Sequence, residues 1–335
     1  MPNLLPLSPL SPFYHPTTVV FVDDNQSFID SLTLKLPRNL AYRCFTQPNP
    51  ARDYLMGAEN NPSLASRCLS ATVGERKTEH TIHLDLSHIE QEINNTDRFD
   101  RISVAIIDYS MPQVGGLDIC EDIKKMDMKV LLLTGVADEK VGVEAFNNGL
   151  IDRFLLKSNN QSVDQTLDYV NALQRDYFNQ YISRLHDALA LNPPAFLNDP
   201  SIGEFVGRLC EQYGFIEYYM VDNPTGLILL DSDGNMRRLI ILDEEERATQ
   251  CKYMADHAAP EAIQQQMARG ELVGFFEEEV EAFFDSTDYP WLENCVPAEV
   301  VGGKQIWHIG LMDNPPVDID FDSKKSSYNS YLDRI

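Results

Sequence analysis

Five side chains in this sequence have the types and spacing for transferring a phosphoryl group to a carboxylate: Asp23, Asp24, Asp108, Thr134 and Lys157. That chemistry needs a carboxylate nucleophile, acidic ligands for a divalent cation, a fixed positive charge and a small hydroxyl donor. Mg2+ suits such a site because it takes oxygen ligands in near-octahedral geometry. Taken singly, each residue has an ordinary explanation. A strand-terminal Asp is most often a cap or turn former, a Thr there a cap, and a Lys plain surface. What counts is the order, because each follows a buried apolar run.

Those runs are Thr17–Val22 (TTVVFV), Ile102–Ile107 (ISVAII), Lys129–Leu133 (KVLLL) and Arg153–Leu156 (RFLL), with a weaker one at Tyr42–Phe45. β-branched and aromatic residues dominate them, as buried strands require. Helical patterns separate them: one after Asp24 through Leu36, then Leu117–Met126 and Asp138–Asn148. Alternation of this kind predicts an α/β fold with a doubly wound parallel sheet of five strands. Such sheets collect functional groups at the carboxyl ends of their strands, so four strand ends deliver the five side chains to one edge.

The stretches VVFVDDNQSFIDSL, IIDYSMPQVGGLDI, VLLLTG and RFLLKS resemble the signature stretches of CheY-like receiver domains in two-component response regulators. The resemblance covers about residues 17–161, less an insertion at about 57–101. It implies that Asp108 is the phosphoacceptor. It implies Mg2+ held by Asp23, Asp24, Asp108 and the backbone carbonyl of Ser110, with Thr134 and Lys157 stabilising the phosphoryl group. Gly135 matches the small residue that leaves the acceptor accessible, and Phe154 matches the aromatic switch residue. Ser158 departs from the family, where proline usually follows the lysine, and the insertion separates Asp24 from Asp108 by more than usual. As a whole the chain resembles the Legionella-type quorum-sensing response regulators. That implies a sensor histidine kinase or phosphotransfer protein as partner.

A chain of 335 residues has room for more than one globular unit. Residues 1–16 hold five prolines and no basic region, which predicts a disordered Pro-rich leader rather than a signal peptide. Residues 17–161 form the receiver unit. The polar insertion within it is expected to pack at the sheet's periphery. Its His80, His83 and His88 lack metal-ligand spacing, since residues three apart on a strand point to opposite faces. Residues 162–194 then carry apolar positions Val163, Leu167, Val170, Leu173, Tyr177, Tyr181, Leu185 and Leu189 at spacings of three and four, a long linker helix ended by Asn192-Pro193-Pro194. Tyr177, Tyr181 and Leu185 are candidate dimerisation residues, able to meet a symmetry mate once the receiver is phosphorylated.

Residues 195–315 read as an α+β output unit with an antiparallel meander, Phe215–Val221, Gly226–Leu230 and Met236–Leu242. Two later strands, Ala298–Val301 and Gln305–Gly310, follow. Asp231-Ser232-Asp233-Gly234-Asn235 looks like the start of a calcium loop but lacks the distal Glu, so a hairpin turn is expected. Residues 316–335 read as a disordered acidic tail. From residue 195 onward there are 10 Lys and Arg against 27 Asp and Glu, a net of −17 in a chain of net −25. That charge opposes DNA binding, which depends on neutralising phosphates. The six cysteines contain no CxxC pair, and no apolar run is long enough to span a membrane. The expectation is therefore a cytoplasmic, phosphorylation-switched regulator that is not itself an enzyme. The alternative is a signalling enzyme whose output unit binds or turns over a nucleotide or other small ligand.

Overall fold

A computed structural model describes residues 10–58, 64–73, 80–135, 138–157, 162–188, 194–276, 289–313, 315 and 321–335. In chain order the strands are β1 (Phe13–Tyr14), β2 (Thr18–Val22), β3 (Tyr42–Phe45), β4 (Leu69–Val73), β5 (His80–Leu84), β6 (Ile102–Asp108), β7 (Lys129–Thr134), β8 (Arg153–Leu156), β9 (Phe215–Val221), β10 (Gly226–Asp231), β11 (Met236–Leu242), β12 (Leu272–Gly274), β13 (Cys295–Pro297), β14 (Glu299–Gly302) and β15 (Ile306–Asp313). The helices are α1 (Gln26–Thr33), α2 (Pro48–Gly57), α3 (Leu64–Cys68), α4 (Ser87–Gln91), α5 (Gly116–Ile123), α6 (Glu139–Asn147), α7 (Ser162–Ala188), α8 (Pro200–Tyr213), α9 (Glu244–Asp256), α10 (Glu261–Ala268), α11 (Ser323–Ser326) and α12 (Tyr328–Leu332).

The first sheet is parallel, in the order β3-β2-β6-β7-β8. Alternate residues of its strands face opposite sides, and each side has its own core. Val20, Val22, Ala105, Ile107 and Leu132 pack under α2 and α5 against Leu55, Ile119, Cys120 and Ile123. Val19, Phe21, Val104, Ile106 and Leu131 pack on the other side against Ile29 and Leu32 of α1 and Val163, Val170 and Leu173 of α7. This is the doubly wound parallel sheet of five strands expected from the sequence.

The second sheet is antiparallel, in the order β1-β9-β10-β11-β15-β14. Its centre is the expected meander, with the two late strands beside it. Helix α8 starts on the Asp199 side chain, which accepts from the Ser201 N–H, and stops at Gly214 in the left-handed region. At the β10–β11 turn, Asp231 Oδ1 accepts from the backbone of Asp233 and Asn235 at 2.9 Å each. The calcium-like stretch is a hairpin turn.

Four expectations need correction. Residues 10–16 are not a disordered leader: Phe13 and Tyr14 form the edge strand β1 on β9, with Leu10, Phe13, Tyr14 and His15 buried. Apolar side chains between the prolines supply the anchor, and Pro12 itself accepts from the Met220 N–H.

The insertion is not peripheral. Leu64, Cys68, Ile89 and Ile93 lie in the core under the second sheet, and α4 packs on β9. The acidic tail is also ordered over 321–335, because Tyr328 and Tyr331 give it two buried aromatic anchors.

Tyr177 is not a dimer contact. Its side chain is buried in the chain's own core, edge-on to Phe178 at 5.2 Å. The described apolar side chains of α7 pack within one chain, Val163, Val170 and Leu173 on the parallel sheet and Tyr177 and Phe178 in the core under the second sheet. The side chains of Tyr181 and Leu185 lie outside the described residues.

Candidate functional site

The parallel register brings the carboxyl ends of β2, β6, β7 and β8 level: Val22 pairs with Ile107, Asp108 with Leu133, and Thr134 with Leu156. Each sequence-predicted residue therefore emerges at one edge. Asp23, Asp24 and Asp108 can place one oxygen each within 4.8 Å of one another. Asp23 and Asp108 are buried, while Asp24 is exposed to solvent. Lys157 Nζ lies 2.6 Å from Asp23 Oδ2 and 2.8 Å from Asp108 Oδ1. The Lys157 backbone N–H donates to Thr134 O at 2.9 Å, tying the ends of β7 and β8 together. Thr134 Oγ1 is buried and has no hydrogen-bond partner among the described residues. Ser110 sits exposed two residues past Asp108.

The local chain geometry explains how these groups are held. Asn25 caps α1 by accepting from the Phe28 N–H, and its own N–H donates to Asp23 Oδ1 at 3.0 Å. Asp23 thus has one oxygen fixed by backbone and the other turned toward Lys157. Helix α5 abuts β6 so closely that a Cβ at Gly116 would overlap the backbone oxygen of Asp108. Only glycine fits there.

Burial is the largest influence on the Asp108 carboxyl and pushes its pKa above the ordinary carboxylate value. Lys157 opposes that rise, while the neighbouring charges of Asp23 and Asp24 add to it. Three clustered carboxylates against one ammonium leave an excess of negative charge, so the donor set fits a hard divalent cation. Among the described residues this trio is the cluster that could hold a metal ion.

Phe154 lies apart from this edge. Its ring rests on α6 at Gly142, where a Cβ would come within 3.0 Å of it. It borders a groove of about 490 Å3 lined also by Phe146, Arg153, Leu156, Gln165 and Tyr169. Sequence reasoning missed Asn25 and Phe28 as site residues. Their only signal was position in the first turn of the helix after the paired aspartates.

Residues 75–167 match the family profile described as the response regulator receiver domain. The match begins inside the insertion, so Asp23 and Asp24 fall outside it; β2 returns them to the site through its pairing with β6. The fold, the site and this match define a receiver domain of the response-regulator class. Over 98% of its length the chain is similar to the Legionella pneumophila response regulator LqsR, with 29% identity, 96% of that chain covered and a TM-score of 0.77. An uncharacterised protein from Neptuniibacter caesariensis matches 48% of this chain and 91% of its own, at 24% identity and a TM-score of 0.32. A receiver domain from Clostridium thermocellum matches 49% and 95%, at 16% identity and a TM-score of 0.29. No curated protein sequence matches the chain.

Proposed function

We propose that this chain is the phosphorylated switch of a two-component relay. Asp108 is the acceptor, and a sensor histidine kinase or phosphotransfer protein is the donor. The observation that carries this reading is the Lys157 ammonium shared between Asp108 and Asp23, with the Thr134 hydroxyl buried and without a partner among the described residues. In the reaction an Asp108 oxygen attacks phosphorus, the new P–O bond forms and the P–N bond to the donor imidazole breaks. The electron pair leaves on the imidazole nitrogen. Thr134 then donates its hydroxyl to one phosphoryl oxygen, and Lys157 pairs with another. Mg2+ would be held by Asp23, Asp24, Asp108 and the Ser110 carbonyl, and bound there it supplies neutralising charge for the phosphoryl oxygens.

Phosphorylation is proposed to switch dimerisation at the groove beside Phe154, where Phe146 is exposed. Its output is proposed to act through protein contacts rather than DNA, because a net charge of −17 repels phosphates. Turnover of ATP or GTP by the purified chain would favour the enzyme reading instead. Likeness to LqsR over nearly the whole chain supports a quorum-sensing role, and no helix among the described residues is long and apolar enough to cross a membrane. Label transfer from radioactive acetyl phosphate tests the proposal. Uptake should need a divalent cation and vanish in Asp108→Asn; label retained by Asp108→Asn would overturn it.

A further inference from the structure

Lys157 follows β8 directly and carries its charge on a flexible four-carbon stem, yet its ammonium meets three separate groups. Two are the carboxylates of Asp23 and Asp108, and the third is the ring of Phe28, whose centroid lies 5.0 Å from Nζ. That distance is within the range of a cation–π contact. The ring is itself held in place. Phe28 is half-buried against the core of the receiver's α1 face, and its N–H donates to the capping side chain of Asn25 at 3.2 Å. One short segment, Asp23 to Phe28, therefore carries two candidate cation ligands, the cap that orients one of them and the surface beneath the lysine.

The two carboxylate contacts cannot stay as they are during the reaction. Asp108 becomes an acyl phosphate, and Asp23 is a candidate cation ligand. A contact to an aromatic face is unaffected by either change.

We propose that Phe28 is a positioning residue for phosphoryl transfer, its ring face holding the Lys157 ammonium at the acceptor while Asp23 and Asp108 change partners. This rests on the proposed role of Asp108 as acceptor. Phe28 touches neither the donor nor the acceptor atom; it acts through the lysine.

The test uses the full chain with Phe28→Leu, Phe28→Tyr and a series of ring-fluorinated phenylalanines at position 28. Fluorine withdraws the ring's negative face while keeping its shape, so a purely structural role would leave the series level. The rate of phosphoryl uptake from acetyl phosphate should fall stepwise along the series. It should fall about two- to five-fold in Phe28→Leu, as a contact at a part-exposed site allows, and return toward the parent value in Phe28→Tyr. In the protein free of divalent ions, NMR should show the Lys157 Hε protons shifted upfield by the ring, and Phe28→Leu should remove that shift. A level fluorine series, or an unshifted Lys157 signal in the parent chain, would overturn the proposal. If Phe28→Leu fails to fold, the fluorinated chains still decide. A parent chain that takes up no phosphoryl group refutes the acceptor assignment instead, a failure distinguishable from that of Phe28.

Discussion

Two cations in this molecule are each gripped by acidic partners, and the contrast between them separates a candidate reactive site from a structural one. Arg98 is fully buried between the insertion and the second sheet, and all three of its nitrogens donate. Nε and Nη2 reach Glu217 at 2.8 and 3.2 Å, Nη1 reaches Asn95 O at 3.0 Å, and Nη2 also reaches Ser326 O at 2.7 Å. The Tyr219 hydroxyl donates to the same Glu217 carboxylate at 2.7 Å. Lys157, by contrast, is 23% exposed, beside the Asp108 carboxyl, whose pKa burial raises, and near a threonine hydroxyl with no partner among the described residues. A complete network specifies where elements dock; an incomplete one is poised to receive a ligand.

The largest effect should come from breaking the complete network. Glu217→Ala leaves the Arg98 charge buried and unpaired, and should cost about 3–5 kcal/mol, read by thermal or urea unfolding. The paired change Arg98→Met with Glu217→Leu should recover much of that loss. If the single variant melts with the parent, the network is not what joins the halves.

The C-terminal segment extends the same join. The Tyr328 hydroxyl donates to Asn39 O and accepts from the Ala41 N–H, both at 2.9 Å, while that of Tyr331 lies 2.9 Å from Thr18 Oγ1 and 2.8 Å from Asp100 Oδ1. Asn329 meanwhile holds the β10–β11 turn through Asp233 at 2.7 Å. Tyr331→Phe should therefore cost about 1 kcal/mol, and Tyr328→Ala about 3 kcal/mol, since it also empties a core position. Hydrogen exchange should rise at β2 and β3 in both variants; unchanged protection there would mean the segment merely rests on the surface.

pH should expose a buried histidine in this region. His15 is fully buried, and its pKa is lowered from the ordinary value to about 3, mainly by burial. Between about pH 6.5 and 3 the unfolded chain takes up a proton that the native chain refuses. Stability should fall with pH across that window by up to about 1.4 kcal/mol per unit from this group alone. His15→Phe should flatten the profile; an unaltered slope would show that other groups set it.

The smallest effect belongs to the incomplete site. Because its folded pKa is raised, Asp108 loses stability as pH climbs from its unfolded toward its folded value. Asp108→Asn should thus melt slightly higher than the parent at neutral pH without divalent ions, and the gain should vanish in acid. A lower melting temperature would make Asp108 structural.

The receiver was legible because strand-end chemistry is written in order: a buried run, then Asp23, Asp108, Thr134 or Lys157. Local periodicity located these elements, and parallel pairing did the rest. The joins were not legible. Phe13-Tyr14 is too short to show a strand period, and Tyr328 and Tyr331 sit in a polar stretch that reads as solvated. The stripe on α7 announced burial without naming the partner, so Tyr177 was assigned to a second chain when its own output core covers it. Long-range pairs such as Arg98 with Glu217 leave no trace in sequence spacing.

The proposed switch depends on where the phosphoryl group goes. The parent chain, treated with acetyl phosphate and Mg2+, then reduced with borohydride and digested, can be mapped by mass spectrometry. The modified residue should be Asp108 alone, one group per chain, with none added when the cation is chelated. Modification at Asp23, Asp24 or any other carboxylate, or none at all in the presence of Mg2+, would contradict it.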